Sequence, residues 1–133
     1  MTDEPEAVNE TAKEARAKET AAKLECDTIK WDARHSVSPD VLINCTPVGM
    51  HPNVNESPFQ PQWLDDNTLV FDTVYNPENT LLIKQARERG CPTVSGIEMF
   101  IRQAALQYEQ FTGRIAPLEI MRETLRRGIS SVH

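Results

Sequence analysis

The spacing of apolar residues divides the chain into stretches of different period. From residue 9 to 25 the apolar positions are almost all alanine, set among Lys and Glu. These are good helix formers, and the run predicts a surface helix. Thr11 followed by Glu14 is a capping-box pattern that places its start there. Asp27-Thr-Ile-Lys-Trp31 alternates and predicts a short strand. Two continuous apolar runs follow, Asp40-Val-Leu-Ile-Asn-Cys45 and Thr68-Leu-Val-Phe-Asp-Thr-Val74. Runs of this length suit strands buried on both faces of a parallel sheet. Between them lies a Pro- and Asn-rich stretch from Pro47 to Pro61, long for a loop inside a compact domain and therefore a functional candidate.

Beyond the second run, Asn79 to Arg89 reads as a helix stopped by Gly90, and Pro92-Thr-Val-Ser95 as a short strand. Gly96 to Thr112 has helical period, with Ile97, Phe100, Ile101, Ala104, Ala105, Tyr108 and Phe111 on one broad face. Gly113 ends it. Pro117, at a helix N1 position, opens a last helix running to Arg127, and the tail after Gly128 is expected to fray. Alternation of strand and helix marks an α/β fold with a parallel sheet. Ligands in such sheets bind beyond the carboxyl ends of the strands. The positions to inspect are those after Cys45, after Val74 and after Ser95.

Composition narrows the classes of function. A chain of 133 residues fits one domain, and 39% hydrophobic with 26% charged residues reads as globular. The net charge of −6 leaves no basic surplus for a nucleic-acid backbone, though an anionic small ligand needs only local donors. No apolar run approaches a membrane span of ~20 residues. Met1 to Glu6 is acidic and polar, unlike a signal peptide. Cys26, Cys45 and Cys91 are odd in number and lack CxxC spacing. They predict free thiols, a cytoplasmic location and no metal site.

The three strand ends carry unusual residues. Thr46-Pro-Val-Gly-Met50 follows the first, Tyr75-Asn-Pro77 the second, and Gly96 opens the long helix after the third. Gly96, Met99 or Phe100, and Gln103 share one side of that helix. Each has a plain reading: a strand-stopping turn at Thr46-Pro47, a ring capping the core at Tyr75, a solvated Gln103, and close helix–strand packing at Gly96.

Taken together these segments resemble the shikimate dehydrogenase family. Asp40-Val-Leu-Ile-Asn-Cys-Thr-Pro-Val-Gly-Met50 is similar to its "INATPVGM" segment, and Phe71-Asp-Thr-Val-Tyr-Asn-Pro77 to its "DxVYNP". Gly96-Ile-Glu-Met-Phe-Ile-Arg-Gln-Ala-Ala105 resembles "GlxMLvxQAa", and Phe111-Thr-Gly-Arg-Ile-Ala-Pro117 resembles "wtGxxaP". The likeness covers residues 40 to 127 firmly and 9 to 39 loosely.

The resemblance implies reversible reduction of 3-dehydroshikimate to shikimate with NADP, NAD being an open alternative. It implies that Thr46 and Pro47 lie along the adenosine side of the cofactor. Thr73 and Gly96 belong near the nicotinamide, Met99 is a further cofactor-binding position, and Tyr75 and Gln103 bond shikimate hydroxyls. A site built to bond hydroxyls rejects analogues lacking them. The implied fold is an incomplete Rossmann-like parallel sheet, with strands equivalent to 3–6 of the order 3-2-1-4-5-6. Residues 1–25 form a charged helical lead-in, 26–128 the carboxyl-terminal part of the cofactor domain with its terminal helices, and 129–133 a tail.

Two family features are not matched. The general acid–base pair, a Lys and an Asp in an amino-terminal substrate domain, has no counterpart, so no catalytic residue is assigned to this chain. The five glycines at 49, 90, 96, 113 and 128 form no G-x-G turn to cradle a pyrophosphate. Asn9-Glu10-Thr11 falls at a plausible distance to match the family's Asn-Arg-Thr, with Glu10 in place of the Arg that meets the 2′-phosphate, but Met1 to Val8 does not read as a strand and the capping-box reading is preferred. A sheet reduced in this way would expose the 41–45 strand as an edge. The expectation is a truncated or split enzyme segment, inactive alone, that self-associates or pairs with a substrate-domain polypeptide. A non-catalytic binding or interaction module on the same fold is the other reading, and a quinate-specific sister activity a third.

Overall fold

The computed structural model describes residues 4–130, with side chains from residue 11 onward. The chain divides into two compact units, Met1–Val37 and Ser38–His133.

The first unit holds α1 (Glu4–Leu24) and a 3₁₀ segment, Trp31–Ser36. α1 is an alanine-rich helix with an exposed i,i+4 pair, Lys23 to Glu19 at 2.6 Å. It begins before Thr11, so the Thr11–Glu14 capping box lies inside the helix rather than at its start. Asn9-Glu10-Thr11 lies in the same helix and does not follow directly on a strand, against the less favoured match to an Asn-Arg-Thr run. The strand expected at Asp27–Trp31 is also absent: residues 26–30 are irregular and lead into the 3₁₀ segment. Alternation over five residues was too short to specify a strand without a neighbour to pair with.

The second unit is α/β. Its strands β1 (Val41–Asn44), β2 (Leu69–Asp72) and β3 (Thr93–Val94) form a parallel sheet in the order β1-β2-β3. The helices are α2 (Leu81–Glu88), α3 (Gly96–Thr112) and α4 (Leu118–Ser130). The predicted α/β class and parallel sheet hold, with three strands among the described residues where four were expected. β1 is an edge of the sheet.

Registry explains the core. Leu42 pairs with Val70 and Asn44 with Asp72, so these four side chains share one face. Val70 joins Phe59, Leu64, Leu82, Ala86 and Cys91 in the buried cluster, with Leu42 and Trp63 packed against it. Phe59 and Trp63 meet edge to face at 5.4 Å. The long 47–61 loop therefore has a structural task as well, because its end delivers Phe59 to the core. Val41 and Ile43, on the other face of β1, are 50% and 49% exposed, contrary to the expectation of a strand buried on both faces.

Local signals set most helix ends. Thr80 caps α2 by accepting from the Ile83 N–H at 3.3 Å, so this helix starts two residues later than expected. Gly90 follows it at φ 80°. Pro117 accepts the first bond of α4, from the Met121 N–H at 3.1 Å, and so precedes the helix rather than forming its first residue. α4 continues through Gly128 to Ser130, past the expected frayed point. Gly113 ends α3 in the left-handed region, φ 65°.

Candidate functional site at the carboxyl ends of the strands

The ends of β1 and β2 are joined by a buried polar network. Asn44 donates through Nδ2 to Asp72 Oδ1 at 3.0 Å and to the Val48 carbonyl at 3.2 Å. Asp72 is 0% exposed. Its Oδ1 also accepts the Val74 N–H at 3.0 Å, and its Oδ2 accepts the Thr80 hydroxyl at 2.6 Å. A buried carboxylate persists only where donors surround it, and here three donors from three segments do so. The network thus ties β1, the turn after β2 and the start of α2 together.

Two predicted residues hang on the same hub. Thr46 donates through Oγ1 to Asn44 Oδ1 at 2.7 Å and accepts the Val48 N–H at 3.2 Å. Thr73 donates through Oγ1 to the Asn44 carbonyl at 2.7 Å. Both hydroxyl protons are engaged within the protein. Any ligand contact from either side chain therefore falls to its methyl group or to remaining oxygen lone pairs.

Gly96 lies directly against this turn. A Cβ built on it would be 2.3 Å from the Val74 carbonyl oxygen and 2.7 Å from that of Thr73. Close helix–strand packing is therefore a real requirement at Gly96, independent of any ligand. Its N-cap, Ser95, makes no side-chain cap bond, which leaves the first-turn N–H groups of α3 without that partner.

Tyr75, just after the network, is exposed, and its ring lies 4.9 Å from that of Phe100 on α3. Gln103 stands three residues beyond Phe100 on the same helix side and is exposed. Met99 is half-buried and Pro47 exposed. The His51 N–H donates to the Asn76 carbonyl at 3.0 Å, which holds the loop after β1 to the Tyr75-Asn-Pro77 turn. Asn44, Asp72 and Thr80 were missed in the sequence as organising residues. Their signal was present: a polar residue closing each apolar run, and a threonine ahead of a helix.

Charge at the helix pair is organised separately. Arg122 of α4 hydrogen-bonds Glu98 of α3 and holds its carboxyl below the usual glutamate range. Cys91 is buried, which pushes its thiol up. All three cysteines are free. Among the described residues no acidic, His or Cys cluster could hold a metal, and no helix is long and apolar enough to cross a membrane.

Comparison with known proteins bears on this arrangement. The profile of the Shikimate 5'-dehydrogenase C-terminal domain matches residues 96–126. A shikimate dehydrogenase (NADP(+)) of Archaeoglobus fulgidus is 47% identical over 90 residues, covering 68% of this chain and 34% of that protein. The chain belongs to the shikimate dehydrogenase family. Among solved structures of similar proteins, shikimate 5-dehydrogenase from Thermus thermophilus, in complex with NADP(H) and shikimate, has a TM-score of 0.73 at 25% identity, covering 85% of this chain and 42% of that one. Quinate dehydrogenase from Corynebacterium glutamicum, in complex with NAD, has a TM-score of 0.69 at 34% identity, covering 75% and 36%. The chain thus spans between 34% and 42% of the length of these relatives.

Proposed function

We propose that this chain takes part in the NADP-linked, reversible reduction of 3-dehydroshikimate to shikimate, as the wall of the site that orients cofactor and substrate. The observation that carries the reading is the junction of Thr46 and Thr73 on Asn44, with Gly96 against the Thr73–Val74 backbone, at the carboxyl ends of parallel strands in a chain of this family. The lining fits a nicotinamide cofactor: the carboxyl ends of parallel strands, a helix start without a side-chain cap, and small side chains that leave room for a ring. Thr46 and Pro47 would hold its adenosine side, and Thr73, Gly96 and Met99 its nicotinamide side. When bound, the cofactor supplies or accepts a hydride.

This chain's own residues then bind and orient. Tyr75 and Gln103, both exposed, offer hydroxyl and amide groups to the ring hydroxyls of the substrate. Thr73 and Gly96 shape a close-packed floor between strand end and helix. The proton for the carbonyl oxygen needs a positioned donor, which this reading assigns to a Lys–Asp pair on a facing polypeptide. We place the chain in the cytoplasm, where free thiols persist. A facing substrate-domain polypeptide or a second copy is part of the proposal, supported by the exposed apolar residues of edge strand β1.

The test is calorimetric titration of the purified chain. NADP+ and shikimate are expected to bind, and Tyr75→Phe or Gln103→Ala to weaken shikimate about tenfold, equal to about 1.4 kcal/mol. No shikimate oxidation is expected from the chain alone. Absence of binding would overturn the reading, and turnover by the isolated chain would overturn its division of labour. The similarity to an NAD-bound quinate dehydrogenase favours one second reading, quinate with NAD. Parallel titration with quinate and NAD+ separates the two.

A further inference from the structure

α4 carries two arginines four residues apart, on one helical face. Arg122 grips Glu98 with two bonds, Nε to Oε1 at 2.8 Å and Nη2 to Oε2 at 3.1 Å. It also bonds Glu119 on its own helix. Arg126 grips Glu78 likewise, Nη2 to Oε1 at 2.7 Å and Nε to the two oxygens at 3.0 and 3.2 Å. Paired bonds of this kind fix direction as well as distance. The two glutamates come from different segments. Glu98 is in the first turn of α3, two residues after Gly96. Glu78 follows β2, three residues after Tyr75.

The position of these straps matters. The α3–α4 turn closes at the far end of α3, at Gly113, where Glu109 also accepts the Ala116 N–H at 3.1 Å. From there to Gly96 is the whole of a 17-residue helix, roughly 25 Å at 1.5 Å per residue. A turn at one end leaves the other end free to splay. Arg122 and Arg126 act at the splaying end. The Arg122 side chain is 16% exposed and that of Glu98 37%, so the pair is partly shielded from the water and salt that weaken surface bridges.

We propose that Arg122 and Arg126 are positioning residues: together they bind the segment bearing Tyr75 and the segment bearing Gly96 to one helix, and so set these two parts of the site against each other. The role rests on the functional reading of Tyr75 and Gly96 given above. A plain stabilising pair would join two elements; this one helix joins two segments that each carry a site residue. The Tyr75–Phe100 ring contact at 4.9 Å links the same two segments and is the natural reporter.

The experiment is NMR of the full chain, following the Tyr75–Phe100 ring NOE and the amide resonances of Tyr75 and Gly96. With Arg122→Gln and Arg126→Gln combined, well below the melting temperature, the NOE is expected to fade and both resonances to move. Shikimate affinity in the presence of NADP+ is expected to fall about tenfold. The swap Glu78→Arg with Arg126→Glu restores the NOE that either single swap removes, a rescue that general destabilisation does not give. Should the double variant fail to fold, Arg126→Gln alone, at the more exposed pair, decides by the same NOE. A folded variant that keeps the NOE and both resonances overturns the proposal. Should the unaltered chain bind no shikimate, the functional reading falls, while the ring contact still judges the arginines.

Discussion

A methyl group at residue 96 would stand 2.3 Å from the Val74 carbonyl oxygen, with backbone on the opposing side that cannot swing away. Gly96→Ala should therefore push α3 from the end of β2 and lower stability by about 1–3 kcal/mol, as overpacking does. The denaturant midpoint measures it; an unchanged midpoint would count against the close approach. At Asp72 the opposite operation applies. Asp72→Ala strands the Val74 N–H and the Thr80 hydroxyl in a buried place and leaves the Asn44 amide only its bond to the Val48 carbonyl. The expected loss is on the order of 3 kcal/mol, because unsatisfied buried donors are costly. Thiols give a milder check. Cys26 and Cys45 are exposed, while Cys91 is buried and its thiol donates to the Asp65 carbonyl at 3.1 Å. A thiol reagent should modify the first two rapidly and Cys91 only on unfolding.

Between elements, the α3–α4 contact carries a pH dependence. Glu98 has its carboxyl held below the ordinary 4.5, first by the Arg122 hydrogen bond, against a smaller opposing effect of burial. Arg102 and Arg126 add weaker attraction. A carboxyl depressed on folding contributes stability above its unfolded value. That contribution is lost as pH falls from 4.5 through the lower folded value. Thermal melts of Glu98→Gln should show lower stability at neutral pH and a shallower decline into acid than the unaltered chain. Parallel curves would rule out this contribution.

For the whole molecule, the edge of the sheet is where association is expected. β1 is an edge of the sheet among the described residues, with half-exposed Val41 and Ile43 on one face. Phe111 and Ile115, beyond the site on and after α3, are 89% and 91% exposed. Strand edges with apolar side chains recruit other chains. Sedimentation velocity should show concentration-dependent association, reduced by Val41→Lys with Ile43→Lys, since edge charges oppose pairing. A concentration-independent monomer would remove this argument for a facing partner.

Much of this was legible in the chain itself. The period of residues 96–112, the apolar runs at 40–45 and 68–74, and the glycines at 90 and 113 marked the strands and helices of the second unit, because each signal is local. Thr46, Thr73, Tyr75 and Gly96 were legible as positions at strand ends and a helix start, while their grouping with the mid-helix Gln103 rested on the family resemblance and not on local pattern. Asp27–Trp31 failed as a strand because pairing needs a partner that alternation alone does not supply. Thr11–Glu14 failed as a helix start because favourable residues before it let the helix extend to Glu4. Tertiary structure alone decided that Asn44 and Asp72 pair across the sheet, that the loop after β1 lends Phe59 to the core, and that Arg122 and Arg126 reach Glu98 and Glu78. These contacts join residues 24 to 48 positions apart, or draw a loop into a packed interior. Local propensity carries no information about such distances in space; packing and the satisfaction of buried polar groups do.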